Sequence, residues 1–402
     1  MKPLRIIVLG TMASDPYAGM AWMHMQITAG LRRLGHDAYY FETTSTWPFD
    51  PVRQTRVCDS DYAVPYLAQV AGSFGLTDRW AYRRSFSDKE WLGMGREKAE
   101  ELLATADAVF NVAGATRVRE EGLQVKRLVY LGTDPVFHEV SYANGGDAGK
   151  AIVAEHDDLV TYGENIGTRE CAVPPMPGER VTTRQPVLID LWRNGAPAKD
   201  AFTTVGNWKQ AGCEVTLNGE DYRWSKHHEF LKFVDLPQQI DQPLELAMNL
   251  AEVTGHGEGT AVPAFGITGA EKEMLRARGW RLVDAPEFST DPWRYRDYVQ
   301  PSRGEFTVAR DLHVRLKSGW FSERSACYLA AGRPVVTQDT GFGSVLPTGE
   351  GLFSFNTMDD VLAAFDAIKS DYQKHSRAAA AIADEYFDAS RVLGKLLSDL
   401  GL

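Results

Sequence analysis

Residues 306–343 read FTVARDLHVRLKSGWFSERSACYLAAGRPVVTQDTGFG, placing a basic stripe, a glycine bend, a short helix with an acidic-basic start and a buried strand in direct succession. Gly319 supplies the bend, and Ser322 is placed to accept a hydrogen bond from the free amides of the first helical turn. Residues 326–331 are mostly strong helix formers, Gly332 is placed to end the helix, and Val335-Val336-Thr337 reads as a strand. A helix start of this kind offers free N–H groups and a partial positive charge, the usual means of holding a phosphate. Arg310, His313, Arg315 and Lys317 add charge just upstream. The competing reading of these residues alone is a solvated loop before an ordinary amphipathic helix.

Working outward, 402 residues suit two domains of a little under 200 each, and 44% hydrophobic with 24% charged residues describes an ordinary globular protein. A net charge of -11 disfavours a nucleic-acid partner, since binding a phosphate backbone needs a basic face. The local basic cluster at 310–317 better suits a small anionic ligand. Cys58, Cys171, Cys213 and Cys327 are far apart with no CxxC, and read as buried free thiols of a cytoplasmic protein with no structural zinc. The apolar run at 6–9 is too short for a signal segment, and nothing elsewhere approaches a membrane span.

Residues 4–10 form a compact apolar run bounded by glycine, as a fully buried parallel strand does. A glycine-containing loop, apolar residues at helical spacing over 22–34, Gly35-His36-Asp37 and a strand at 38–41 follow, the unit of a doubly wound sheet. A helix at 99–105 and strands at 108–112, 126–132 and 158–162 continue it, with Thr133-Asp134-Pro135 and Gly163-Glu164-Asn165 at strand ends, where ligands bind in such sheets. Arg193-Asn194-Gly195-Ala196-Pro197 is the linker candidate. Beyond it the pattern restarts with a strand at 201–205 ending in Gly206-Asn207-Trp208-Lys209, and strands or helices at 244–249, 270–279, 280–283 and 359–371. The expected domains are 1–195, 196–375 and a helical segment at 376–402 that could return to the first domain. Lys209 is a candidate phosphate partner, because it follows the first strand of the second half.

This arrangement resembles the GT-B glycosyltransferases, two facing Rossmann-like domains with a cleft between them and a C-terminal helix, an α/β fold, and the resemblance covers essentially the whole chain. The first strand, glycine loop and Gly-His turn of that superfamily are matched by residues 5–10, Gly19 and Gly35-His36. Gly206 and Lys209 match the opening of its second domain. Ala330-Ala331-Gly332-Arg333-Pro334-Val335-Val336 matches its Ala-x-Gly-x-Pro-Val-Val run, the most specific of these signals, and is similar to the retaining group 1 families. There are departures. The two glutamates that those families carry with seven residues between them fall on Gly319 and Cys327, and their His-Asp pair is altered to Thr133-Asp134. Arg324 does match one subgroup, which carries an arginine three residues before the second glutamate.

The resemblance implies transfer of a hexose from a nucleoside-diphosphate sugar, the donor substrate, to a small-molecule or glycan acceptor, with no further cofactor and no metal. It assigns Gly19, Gly206, Lys209, Arg315, Lys317, Ser322, Arg324 and Ser325 to the donor, with Glu323 accepting sugar or ribose hydroxyls. A carboxylate aimed at a diphosphate would repel it, so Glu323 suits hydroxyls while the amides of 323–325 and Arg324 suit phosphate. A base, needed only for inversion, would come from Asp15, His24, Asp134 or Glu164. Asp59-Ser60-Asp61 spells the acidic triplet of the other glycosyltransferase fold, but lies in a polar insert and not at a strand end. The aromatic set Trp47, Phe49, Tyr62, Tyr66, Trp80, Tyr82 and Trp91 suits either an acceptor site or core packing. His256-Gly257-Glu258-Gly259 reads as a flexible loop without a dinucleotide fingerprint, and His227-His228 as a solvated face. Two other readings compete: a sugar-nucleotide epimerase or hydrolase on the same fold, and a protein that binds a nucleotide sugar without turning it over.

Overall fold

Ile6, Ile7, Val8 and Leu9 are all 0% exposed, so the first strand, Arg5–Leu9, is covered on both faces, as its unbroken apolar run requires. The computed structural model describes residues 2–193, 195–210, 212–251 and 266–402. Arg5–Leu9 pairs in parallel with Asp37–Glu42 on one side, Ile7 opposite Tyr39, and with Ala108–Val112 on the other, Ile7 opposite Val109. Leu128–Gly132, Asp158–Thr161 and Glu179–Thr182 extend the sheet beyond Ala108–Val112, while Trp80–Arg83 and an antiparallel edge strand, Trp91–Leu92, extend it beyond Asp37–Glu42.

The second sheet runs in the order Arg281–Asp284, Leu244–Met248, Phe202–Val205, Gly304–Thr307, Val335–Gln338, Leu352–Phe355, with every pair parallel. In chain order this is 3-2-1-4-5-6, the doubly wound arrangement whose order reverses beside its first strand. Ligands gather at that reversal, outside the carboxyl ends of the strands. The same reversal occurs beside Arg5–Leu9 in the first sheet.

The two lobes are joined by paired crossings. Val187 donates to the Phe387 carbonyl at 2.7 Å, and Ala389 donates back to Val187 at 2.9 Å, so the outgoing and returning chains run side by side. The return is made by two helices. Tyr372–Tyr386 lies on the helix Glu323–Ala330 of the second lobe, and Ala389–Asp399 lies on Ala18–Arg33 of the first. Leu393, Leu396 and Leu397 thereby join the buried cluster of Ile6 and Val8. Gly30 permits the close crossing, because a Cβ there would come 2.6 Å from Leu393 Cδ1.

Several elements have little signal in the sequence. Trp80–Arg83 is four residues with an arginine at its end, and the hairpin Val215–Leu217 with Glu220–Tyr222 carries exposed Thr, Glu and Asp between its buried positions. The basic stripe after Gly304–Thr307 is a helix, Asp311–Leu316, where a loop is expected. The four cysteines are free, but only Cys327 is buried, and Cys58 is exposed, which corrects the expectation of four buried thiols. Among the described residues no helix is long and apolar enough to cross a membrane.

Trp22 fixes the junction of the lobes. It is 0% exposed, lies 4.5 Å from Trp192, 5.1 Å from Phe74 and 5.3 Å from Trp293 between ring centroids, and donates its Nε1–H to the Pro292 carbonyl at 2.7 Å. Trp22→Ala should therefore cost about 3–5 kcal/mol of stability, read as a lower urea midpoint.

Candidate functional site

The first strand of the second lobe ends at Gly206, directly over Arg324, whose Nη1 would lie 3.7 Å from a Cβ added there. Arg324 is held beneath the strand ends: Nε donates to Glu305 at 2.5 Å, Nη1 to the Val205 carbonyl at 2.6 Å and Nη2 to Thr307 Oγ1 at 2.9 Å. Glu305 is 0% exposed, so its charge requires this partner. Arg324 anchors the start of the helix Glu323–Ala330, whose first three amides, those of Glu323, Arg324 and Ser325, donate to no described residue. Ser322 makes no side-chain cap, contrary to expectation. The Ser325 hydroxyl is buried without a partner among the described residues. Gly332 does end the helix, at φ +71°.

Two small pockets open at these strand ends and share Lys226 and Thr307. Gly206, Trp208, Met248 and Arg324 line the first, and Ser322, Trp320, Gln338 and Thr340 the second. The Lys226 ammonium has no hydrogen-bond or ion-pair partner among the described residues; it stands over the Trp320 ring, 5.7 Å from the centroid. Burial, and then repulsion from Arg324 and Arg310, hold its pKa well below the ordinary lysine value.

The other expected cations are already paired. Lys209 binds Glu271 at 2.9 Å, Lys317 binds Asp339 at 2.8 Å, and Arg315 is shared between Glu220 and Asp311. Lys226 escapes sequence reasoning because the hairpin separates it from Gly206. The available signal was Ser225-Lys226 immediately before the helix His227–Lys232. Gly19, in the first turn of Ala18–Arg33, faces open space, with nothing within 4 Å of an added Cβ.

Glu323 touches the first lobe. Its Oε1 accepts from Gln26 Nε2 at 2.7 Å and from the Cys327 thiol at 3.3 Å. Gln26 is itself fixed, its Oε1 accepting from the Leu188 amide and Trp192 Nε1, each at 3.0 Å. Burial raises the Glu323 pKa to about 7 against these hydrogen bonds and the nearby Arg324.

The four groups named as a possible base are each committed. Asp15 pairs with Arg56 at 2.7 Å, and Glu164 with Arg184 at 2.5 Å. His24 is 1% exposed, donates from Nδ1 to the Met20 carbonyl at 2.7 Å and is lowered by burial to about 4. It lies against Gly10, where a Cβ would come 2.1 Å from its ring. Asp134 bridges the lobes, accepting from Arg310 at 2.5 Å and from His313 Nε2 at 3.2 Å. Burial alone would raise the Asp134 pKa, but Arg310 and His313 outweigh it and hold it below the usual range. His313 in turn lies flat on Trp320, with centroids 4.7 Å apart at 9°, and Trp320 Nε1 donates to the Thr133 carbonyl at 3.0 Å.

Of the aromatic set, Tyr66, Tyr82 and Trp91 are buried in the first lobe, whereas Trp47 is exposed. Asp59 binds Arg53 at 2.7 Å on the surface, and no group of three or more His, Cys, Asp or Glu placed to hold a metal occurs among the described residues. The loop His256-Gly257-Glu258-Gly259 lies outside the described residues.

Two consequences can be measured. Arg324→Ala strands Glu305 and should cost about 3–5 kcal/mol of stability in addition to any loss of binding. Glu323 keeps a proton in the folded state between about pH 4.5 and 7 that the unfolded chain has released, so its contribution to stability falls as pH rises through that window and then levels. Glu323→Gln should therefore gain on wild type between pH 5 and pH 8 in urea denaturation; an unchanged offset would contradict the burial of this carboxyl.

No protein-family model matches the chain, and no curated protein does. Solved structures match it from end to end. An alpha-glucosyltransferase in complex with UDP-glucose and DNA containing an abasic site is 10% identical, covers 100% of each chain and superposes with a TM-score of 0.58. A glycosyltransferase from Rickettsia africae is 9% identical over 99% of this chain and 98% of its own, at 0.56. HepE of Anabaena, in complex with UDP and glucose, is 12% identical over 99% of both chains, at 0.55. With both sheets doubly wound and their carboxyl edges facing each other, bridged by Asn165 to Gly341 and Asp134 to Arg310, the chain has the GT-B fold.

Proposed function

We propose that this protein is a glycosyltransferase that moves a hexose from a nucleoside-diphosphate sugar to a small-molecule or glycan acceptor. The observation that carries the reading is Lys226, a lysine with no ion-pair partner among the described residues, on the wall common to two pockets at the strand ends. An unpaired ammonium near a helix start with three free amides is the electrostatic complement of a diphosphate. The matched structures include proteins with UDP and UDP-glucose bound, which supports the same donor class here.

In this reading Lys226 and the amides of 323–325 hold the diphosphate, the two free N–H groups of Arg324 add to them, and Gly206 lets the donor approach the backbone. Lys209, Arg315 and Lys317 serve structural ion pairs. Glu323 accepts a donor hydroxyl. The bond from the anomeric carbon to the diphosphate oxygen breaks with its electron pair going to the diphosphate, and the acceptor oxygen bonds to that carbon. Arg324, and Lys226 once the anionic diphosphate offsets the burial and cation repulsion that lower its pKa, stabilise the leaving group without a metal in this scheme. Because Asp15, His24, Asp134 and Glu164 are all engaged, we assign the acceptor's proton to the leaving diphosphate oxygen, which is the retaining outcome. The same commitments weigh against an epimerase, which needs a free acid-base pair.

Lys226→Ala should raise the Kd for a nucleoside diphosphate tenfold or more by calorimetry, the effect of losing a charge-assisted contact, while Lys209→Ala and Arg315→Ala leave it within about twofold. Equal losses in all three would refute the assignment to Lys226. With a panel of nucleotide sugars, diphosphate release that depends on an acceptor supports transfer. Product isomers without acceptor would indicate an epimerase, and thermal stabilisation without turnover a binding protein.

A further inference from the structure

The helix Ala18–Arg33 leaves the carboxyl edge of the first sheet and leads into a strand parallel to Arg5–Leu9, so it must end toward the amino edge. Its last turn lines a crevice of about 350 Å³, walled by both lobes and by the crossing between them. Arg32 and Arg33 stand on that turn, and Phe74 follows the helix Ala63–Ser73 of the first lobe. Leu188 and Leu191 belong to the outgoing crossing, and Trp293 lies on the helix Pro292–Val299 of the second lobe. The crevice shares no lining residue with the two strand-end pockets.

Its walls are set in advance. Phe74 and Trp293 stack on each other with centroids 5.1 Å apart at 22°, and both rings also touch the buried Trp22. Leu188 is buried, and its amide donates to Gln26 Oε1 at 3.0 Å. The lining is charged in one sense only, since none of the described residues that form it is a carboxylate, in a chain of net charge -11. Arg33 is paired with Asp190 at 2.5 Å. Arg296, which lies over the Trp293 ring at 4.7 Å, is paired with Asp297. Arg32 is half-buried, and its guanidinium makes no hydrogen bond or ion pair among the described residues. Nor is Arg32 needed to cap its helix. The carbonyls of Gly30, Arg32 and Leu31 accept from the amides of Leu34, Gly35 and His36, with Gly35 at φ +88°.

We infer that this crevice is a second ligand site, for a small aromatic carboxylate whose anion pairs with Arg32 and whose ring lies against Phe74, Leu188, Leu191 and Trp293. A planar guanidinium without an ion-pair partner offers a carboxylate two parallel N–H donors. A bare inorganic anion would leave the apolar walls wet, and a neutral ring would leave Arg32 unpaired. A ligand with both parts satisfies both, and the volume is at the small end of the range for organic ligands. Two arginines in a recess do not make the basic face that a nucleic acid requires. Because the ligand touches both lobes and the crossing, it binds where these walls stand together and stabilises that arrangement. The inference does not rest on the glycosyltransferase reading.

The test titrates the full chain with 2-naphthoate and its neutral analogue 2-naphthamide, by calorimetry and saturation-transfer NMR. Wild type should bind 2-naphthoate about tenfold or more tightly than 2-naphthamide, the margin of a charge-assisted contact. Arg32→Gln should remove that margin, and Ser73→Trp, which puts a large ring at an exposed position on the lining, should abolish binding of both. Neither position is in the core, so both variants should fold. As a second readout, 2-naphthoate should raise the urea midpoint of wild type and of neither variant. No binding of 2-naphthoate, equal affinity for the two probes, or binding that Ser73→Trp leaves intact overturns the inference. So does competition by a nucleoside diphosphate, which would put the probe in the strand-end pockets. Sedimentation with phosphatidylglycerol vesicles that Arg32→Gln abolishes, while 2-naphthoate fails to bind, would make the crevice a membrane contact and overturn it too. Should nucleoside diphosphates not bind while 2-naphthoate binds through Arg32, the donor assignment fails and this site stands.

Discussion

A carboxylate with no access to water sits in the middle of the second lobe, and the carboxyl ends of its strands are arranged around neutralising it. Glu305 lies on the strand beside Phe202–Val205, and Arg324 reaches it from the helix start while also binding the Val205 carbonyl and Thr307. One guanidinium thus ties three things together: a buried charge, the end of the first strand and the beginning of a helix. Leaving any of them unpaired would be expensive, so the helix start cannot drift from the strand ends. Its three free amides, and the pockets that Lys226 lines, are held in place by an interaction that need not touch the ligand at all.

The lobes are set against each other by the same logic. Asn165 of the first lobe donates to the carbonyls of Lys317 and Gly341, at 3.3 and 2.9 Å, and accepts from Ser344. Gly319 and Gly341 stand at φ +76° and +90°, and a Cβ at either would come within 2.7 Å of Asn165 atoms. The bend therefore needs glycine for its backbone and again for the approach of the other lobe. Asp134 with Arg310 and His313, and Gln26 with Glu323, add two further polar bridges. Val215, Leu217 and Tyr222 of the hairpin bury apolar surface with Val136 and Val140 of the first lobe. Residues at strand ends, where catalytic groups are sought, thus serve as bridges between lobes.

This explains which parts of the protein were legible in the sequence. Strands such as Ala108–Val112 and Val335–Gln338 are continuous apolar runs because both faces are covered, so their periodicity is unambiguous. The helix at Glu323–Ala330 is marked by composition and by Gly332. Side-chain partners are different, because they depend on distant residues. Nothing near Lys209 reveals Glu271, 62 positions away, and nothing near Asp134 reveals Arg310, 176 positions away. A basic residue in a loop is equally readable as a ligand or as half of an ion pair until its partner is known. Lys226 is the converse case, a lysine with little sequence signal that forms no ion pair among the described residues, although Glu305 and Asp134 act on it from a distance.

The cysteine at 327 can be understood in the same terms. Its thiol lies 3.3 Å from Glu323 Oε1, and Gln26 Nε2 approaches both, at 2.7 Å from the carboxyl and 3.8 Å from the sulfur. A glutamate at 327 would place a second carboxylate against one whose pKa burial has already raised to about 7. Two like charges so close in a dry site cannot both ionise, and one would have to carry a proton or force the pair apart. A thiol avoids the conflict, because it is neutral, small and a weak donor to the carboxyl beside it. Glu323 and Cys327, one helical turn apart, therefore pair a single carboxyl with a neutral neighbour. One acidic group stands at the helix start, where burial outweighs the pull of the helix dipole toward the ionised form and raises its pKa to about 7.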